Sequence, residues 1–208
     1  MRMRKKWWAI PTLYDSGLCY FWPEDHKGKW HCQFHRKQNL HLDIGCGSGD
    51  FSLAMANQHP EWNFILWDRE TDVLVYTLAN LQERNLSNVK LIAREIECLE
   101  NVFEKDEVHS ITIHFPNPWP KNRHNKRRLT YPDKLNIYKK ILHPEGEIDF
   151  RTDDGELYED TLRYIEEVGG KILFSSENAP ATTPMSHYES RFREQSISIK
   201  TIRFTFGS

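Results

Sequence analysis

The run LDIGCGSGDF sets Asp43, Gly45, Gly47 and Gly49 directly after the apolar stretch NLHL. Glycines at alternate positions let a chain turn sharply and bring backbone N–H groups against a ligand, with a helix N-terminus behind them. The G-x-G-x-x-G spacing that cradles a pyrophosphate is not kept. The spacing is G-x-G-x-G behind an acid, which suits a ligand with no phosphate and a cationic amino-acid end. S-adenosylmethionine (AdoMet) has that form, whereas a plain tight turn needs no ligand at all. Asp68 ends the next apolar run, WNFILWD, where a carboxylate can accept from a ribose diol. Glu95 follows the third run, NVKLIA, where it can meet an adenine amine. Each acid alone reads equally well as a strand-end group in water. The spaced series favours AdoMet over a nicotinamide cofactor.

A second kind of chemistry sits in FPNPWPKNRHNKRRLTY, residues 115–131. Its prolines fix φ and restrict the residue before them, so Asn117 and Trp119 belong to a stiff loop. Lys121, Arg123, His124, Lys126, Arg127 and Arg128 follow, in a chain whose net charge is −2. Cations grip phosphates without reading sequence, and an aromatic can stack on a splayed base. Arg2, Arg4, Lys5 and Lys6 form another basic cluster, while acid gathers over 153–167. Local basic faces on a chain of pI ≈ 6.6 point to a specific polyanion contact. A solvated basic loop, and a Trp119 that merely packs, are the plainer readings.

The elements that must position these residues follow from hydrophobic period. Short apolar runs at 39–45, 62–68, 88–93, 110–115 and 146–152 read as strands, with KILFSS and ISIKTIRFTF closing the chain. Helical periods are expected over 50–58, 71–84, 133–142 and 154–168. Such alternation means an α/β fold with a mostly parallel sheet and helices on both faces. Ligands in such sheets sit beyond the carboxyl ends of the strands, where strand order reverses. With AdoMet as ligand, the expectation is a Rossmann-like class I AdoMet-dependent methyltransferase with seven strands.

At 208 residues, 38% hydrophobic and 28% charged, the chain has the size and composition of one globular domain. Residues 1–38 are expected as a basic arm packed on or flanking a domain over 39–208. No apolar run reaches the roughly 20 residues of a membrane span, so no membrane contact is expected. Pro11 and Asp15 interrupt the first apolar stretch too early for a signal peptide. Cys19, Cys32, Cys46 and Cys98 lack framework spacing, which implies reduced thiols in the cytoplasm. CQFH, with His26 and His31 nearby, falls short of a zinc ligand set, so no metal is expected. Monomer and homodimer are both compatible with this composition.

Asn117-Pro118-Trp119-Pro120-Lys121, then Arg123-His124 and Lys126-Arg127-Arg128, resembles the Asp-Pro-Trp-Pro-Lys, Arg-His, Lys-Arg-Arg hallmark of bacterial tRNA (guanine-N7-)-methyltransferases. MRMRKKWWA, KGKW, TDDGELYE and SHYESRF resemble further segments of that family, so the similarity runs the length of the chain. The resemblance implies AdoMet-dependent methylation of N7 of a guanine in the tRNA variable loop. It implies that Asp43, Asp68, Glu95 and Asn117 contact the cofactor, with Gly45, Gly47 and Gly49 forming its loop. Lys121, Asp153, Ser186, His187, Tyr188 and Glu189 would contact substrate, and residues 123–128 would lie along the RNA. Asn117 and Asp153 would carry the catalytic roles. Asp153 and Glu189 can accept from guanine N1–H and its amine. Equally, Asp153 can cap a helix and Glu189 can pair with Arg191 or Arg193.

The sequence departs from the family pattern where charge matters. Asp43 and Asp68 stand for Glu, Glu95 for Asp, Ser48 for Lys and Ser186 for Thr. Asn117 replaces the family's catalytic aspartate, keeping an acceptor oxygen but no charge. Guanine N7 already carries a lone pair, so the reaction needs no proton abstraction, and a working enzyme is expected. Two alternatives remain: an amino-methyltransferase of the N6-adenine or N4-cytosine type, and a non-catalytic RNA-binding homologue. The first uses Asn/Asp-Pro-Pro-aromatic, and here the second proline and the aromatic are exchanged.

Overall fold

The computed structural model describes residues 5–181 and 183–207. Arg2 and Arg4 of the first basic cluster lie outside the described residues. In chain order the elements are α1 (Ala9–Asp15), β1 (Cys19–Tyr20), β2 (Asn39–Ile44), α2 (Asp50–Gln58), β3 (Trp62–Trp67), α3 (Thr71–Arg84) and β4 (Val89–Ile92). They continue with α4 (Leu99–Val102), β5 (Val108–His114), α5 (Pro132–Ile141), β6 (Leu142–Thr152), α6 (Gly155–Glu167), β7 (Lys171–Ser176), α7 (His187–Glu194) and β8 (Lys200–Thr205).

The strands form one sheet in the order β1-β4-β3-β2-β5-β6-β8-β7, with every pair parallel except β6–β8 and β8–β7. Strand order reverses between β2 and β5, which opens the crevice where such sheets bind ligands. The sheet has eight strands where seven were expected, because Cys19–Tyr20 adds a short parallel edge beside Leu91 and Ile92. Two residues carry too little periodicity to be seen in sequence.

Side chains alternate across the sheet. Leu42, Ile44, Ile111, Ile113, Ile148 and Phe150 point into a core shared with Leu135 and Tyr138 of α5 and Leu157 and Ile165 of α6. Phe64, Leu66 and Leu91 face the other way, onto Leu13, Leu53, Leu74 and Leu78 of α1, α2 and α3. The segment before β2 is built into both cores. Ala9 and Leu13 pack with α3, and Trp30 is fully buried with its indole N–H donating to Val102 O at 2.9 Å. On the α2 side of β2, β5 and β6 the residues are polar: His41, Asp43, Thr112, His114, Asp149 and Arg151. Among the described residues no helix is long and apolar enough to cross a membrane.

Candidate functional site

Gly45, Gly47 and Gly49 all take positive φ, at 74°, 57° and 75°. At Gly49, the N-cap of α2, a Cβ would lie 2.5 Å from Thr77 Cγ2, so both backbone and packing require glycine there. The loop is tied down from the next strand: Gly47 N–H donates to Asp68 Oδ2 at 3.1 Å, and Thr77 Oγ1 donates to Gly47 O at 2.6 Å. Asp68 Oδ1 accepts from Glu70 N–H at 2.9 Å. Burial raises the Asp68 pKa despite these bonds.

Asp43 lies within β2, two residues before Gly45. Its oxygens accept from Ser52 Oγ at 2.7 Å and Thr112 Oγ1 at 2.9 Å, and burial pushes its pKa up against both bonds. It thus ties β2 to α2 and β5, and it borders a small cavity of about 70 Å³, together with Gly45, Gly47, His114 and Ser186.

Beside it opens a cleft of about 440 Å³, lined by Gly45, Asp68, Glu95, Asn117, Trp119 and Arg127 among others. Four of the seven residues expected at the cofactor thus meet along one wall. Glu95 is exposed, 3.5 Å from Arg69. Gly45 and Phe115 border both spaces, so the two adjoin. A roomier cavity of about 530 Å³ lies against Phe64, Asp149, Phe174 and Arg203. No residue of the glycine loop borders it, so it is separate from this cleft.

The loop after β5 is strained on both sides of Asn117. Phe115 and Trp119 take φ of 50° and 46°, a region that bulky residues rarely enter. Asn117 Oδ1 accepts from Trp119 N–H at 3.0 Å, closing an Asx turn that holds its oxygen near the cleft. Trp119 packs edge-on against His124, and the Arg127 guanidinium sits 5.1 Å from its ring centre. Slight burial and the cations Arg127, Arg123 and Lys121 hold His124 below the ordinary imidazole pKa. Lys121, Arg123, Lys126 and Arg127 are exposed, and the last two border the cleft.

Residues 37–202 match the family described as "Putative methyltransferase". A tRNA (guanine-N(7)-)-methyltransferase of Clostridium acetobutylicum is 41% identical over 204 residues, covering 96% of this chain and 97% of that protein. One from Clostridium tetani is also 41% identical, covering 97% of each chain. The chain belongs to the tRNA (guanine-N7-)-methyltransferase family. Among solved structures, the 16S rRNA methyltransferase KamB shares the fold at TM-score 0.64 and 13% identity, covering 87% of this chain and 94% of that one. The aminoglycoside resistance methyltransferase NpmB1 does so at TM-score 0.60 and 15% identity, covering 89% and 94%.

Two positions that family resemblance assigned to substrate or RNA are enclosed in ion pairs in the structure. Arg128 is 1% exposed: Nε donates to Pro118 O at 2.7 Å, and the guanidinium pairs with Asp160 and Glu156 of α6. Its charge is directed to α6 and to the Pro118 carbonyl rather than to the exposed face that carries Lys126 and Arg127. Glu189 is fully buried, with Oε2 held by Arg151 at 2.9 Å and Oε1 by Arg193 at 2.7 Å. The i,i+4 partner Arg193 was legible in sequence, whereas Arg151 comes from β6, far along the chain. Ser186 is the N-cap of α7, accepting from Glu189 N–H at 3.1 Å, and leaves His187 and Tyr188 exposed beside the small cavity.

Asp153 is half-buried at the end of β6, with no side-chain hydrogen bond among the described residues. The cap of α6 is its neighbour Asp154, whose Oδ1 accepts from Leu157 N–H at 2.7 Å. Two residues at the site escaped sequence reasoning. Lys134 of α5 borders the cleft while paired to Glu97, and no motif in the sequence singles it out. His114 ends β5 within ITIHF, where the strand pattern gave no sign of a site.

Proposed function

We propose that this chain transfers the methyl group of AdoMet to N7 of a guanine in tRNA, in the variable loop. The observation that carries the reading is one cleft bordered by the glycine turn, Asp68, Glu95, Asn117 and the cations Lys126 and Arg127. It brings the end suited to a nucleoside donor beside the end suited to RNA, and the kinship with guanine-N7 methyltransferases supports the chemistry.

The donor's ribose diol suits Asp68 and its adenine amine suits Glu95. Lys121, Arg123, Lys126 and Arg127 are free to lie along phosphates, and Trp119 offers a ring face near the target. Guanine N7 attacks the methyl carbon as the carbon–sulfur bond breaks, and that bond's electrons return to sulfur. Positive charge passes from the sulfonium to the purine. The protein therefore has to align and to favour cationic charge on the base; no group has to take a proton first. Asn117 Oδ1 supplies a dipole at that corner, and Asp153 a free carboxylate at the next strand end.

Incubation of the chain with unmodified tRNA and methyl-labelled AdoMet, followed by nucleoside analysis, tests this directly. The expected product is 7-methylguanosine, located in the variable loop by borohydride–aniline scission. An amino-methylated base, or no transfer by a protein that still binds tRNA, would overturn it.

A further inference from the structure

The small cavity behind the glycine turn contains a buried polar atom that the roles above do not use. His114 lies at the end of β5, its side chain 7% exposed. Its Nε2 meets Asp149 Oδ2 at 2.9 Å, and its Nδ1 is buried with no hydrogen-bond partner among the described residues. Phe51 packs against the ring, tilted at 57° and 4.6 Å between centres. Burial opposes ionisation of Asp149, yet the His114 bond and the charges of His114 and Arg151 hold its pKa below the ordinary carboxylate value. An ionised Asp149 can only accept, so Nε2 carries a hydrogen, and in that tautomer the unpartnered Nδ1 offers its lone pair to the cavity.

The cavity shares Gly45 and Phe115 with the cleft, so a nucleoside seated in the cleft would pass its 5′ substituent here. Asp43 and Asp50 also border it, which makes the space favourable to a cation. We propose that His114 Nδ1 accepts a hydrogen bond from the α-ammonium group of the methyl donor, with Asp149 as the positioning residue that fixes the ring's tautomer. The assignment rests on the donor reading above. The charged and titratable groups around the ring are His41 and Asp43 on β2, Asp50 on α2, Asp149 and Arg151 on β6, and His187 on α7.

Calorimetry with two ligands tests it: S-adenosylhomocysteine, which keeps the amino-acid arm, and 5′-methylthioadenosine, which lacks it. Loss of a hydrogen bond to a charged group predicts that His114→Leu weakens the first by about tenfold or more and leaves the second within about twofold. His114→Asn places an acceptor oxygen near the old Nδ1 position and should stay within about threefold of wild type for both. Asp149→Asn can donate to Nε2, which turns Nδ1 into an N–H, so it should weaken the first ligand as selectively as His114→Leu does.

Equal weakening of both ligands by His114→Leu, no weakening by it, or His114→Asn as weak as His114→Leu would overturn the assignment. An Asp149→Asn variant that binds like wild type would overturn the positioning role. A wild-type chain that binds neither ligand would instead overturn the donor reading itself, and this one with it.

Discussion

Arg128 Nε donates to the carbonyl of Pro118 at 2.7 Å while the same guanidinium is ion-paired to Asp160 and Glu156 of α6. The last cation of the basic run therefore fastens the Asn117 loop to the helix that follows β6. The strained φ at Phe115 and Trp119 needs such an external hold, because left-handed backbone in bulky residues persists only where the surroundings over-determine it.

Arg128→Ala should therefore act through structure. Removing one partner of a buried pair predicts a stability loss of about 3 kcal/mol, read by urea or thermal unfolding. Methyl transfer should fall with it as the loop loosens, while the slope of tRNA affinity against log salt stays at the wild-type value. A shallower slope would return Arg128 to the RNA surface.

Lys126 and Arg127 should behave in the opposite way. They are exposed, and reversing both to Glu should weaken tRNA binding. It should also flatten the salt slope by about 0.7 to 0.9 for each phosphate no longer neutralised. Unfolding stability should stay within about 0.5 kcal/mol, as for other surface changes. An unchanged salt slope in filter-binding measurements would remove the backbone grip.

How far the letters reached is clearest in these neighbours. The strands from β2 onward and the longer helices were legible because their apolar periods are strong, and the glycine turn because only glycine serves at such φ. Arg127 and Arg128 are adjacent and chemically alike, yet one is outside and the other inside. That difference depends on Asp160, a partner 32 residues away that no local pattern encodes. Glu189 and Arg151, 38 residues apart, pose the same problem. SITIH and EIDFR alternate polar with apolar residues, but a polar face reads the same whether it meets water or a ligand. His114 was hidden by that ambiguity.

Asn117 offers a direct test of charge at the proposed reacting corner. If a full negative charge favours the cationic purine more than the amide dipole does, Asn117→Asp should raise the single-turnover rate by about tenfold or more. The Asx turn to Trp119 should persist, since Asp can accept the same N–H. No gain in rate at unchanged AdoMet affinity would show that this position works by hydrogen-bond alignment alone.

His41 predicts a pH dependence whose sign is fixed by its surroundings. Both ring nitrogens are bonded within the polar face, to Ser110 Oγ at 3.1 Å and Thr112 Oγ1 at 3.2 Å. Burial, helped by the charge of His114 and opposed by Asp149, lowers its pKa to about 3. An unfolded histidine takes a proton near 6.5, so between about 6.5 and 3 only the unfolded chain is protonated at this residue. Its contribution is thus unfavourable to folding in that window, and stability falls as pH drops. At pH 5 the loss relative to pH 8 should be about 2 kcal/mol. His41→Gln removes that titration while keeping polar contacts, so its stability should fall less over the same interval, measured by urea unfolding at both pH values. Asp149 is held below the ordinary carboxylate value, and the other titrating groups are common to both proteins, so the difference isolates His41. Parallel losses in the two proteins would mean that His41 is not held neutral inside the fold.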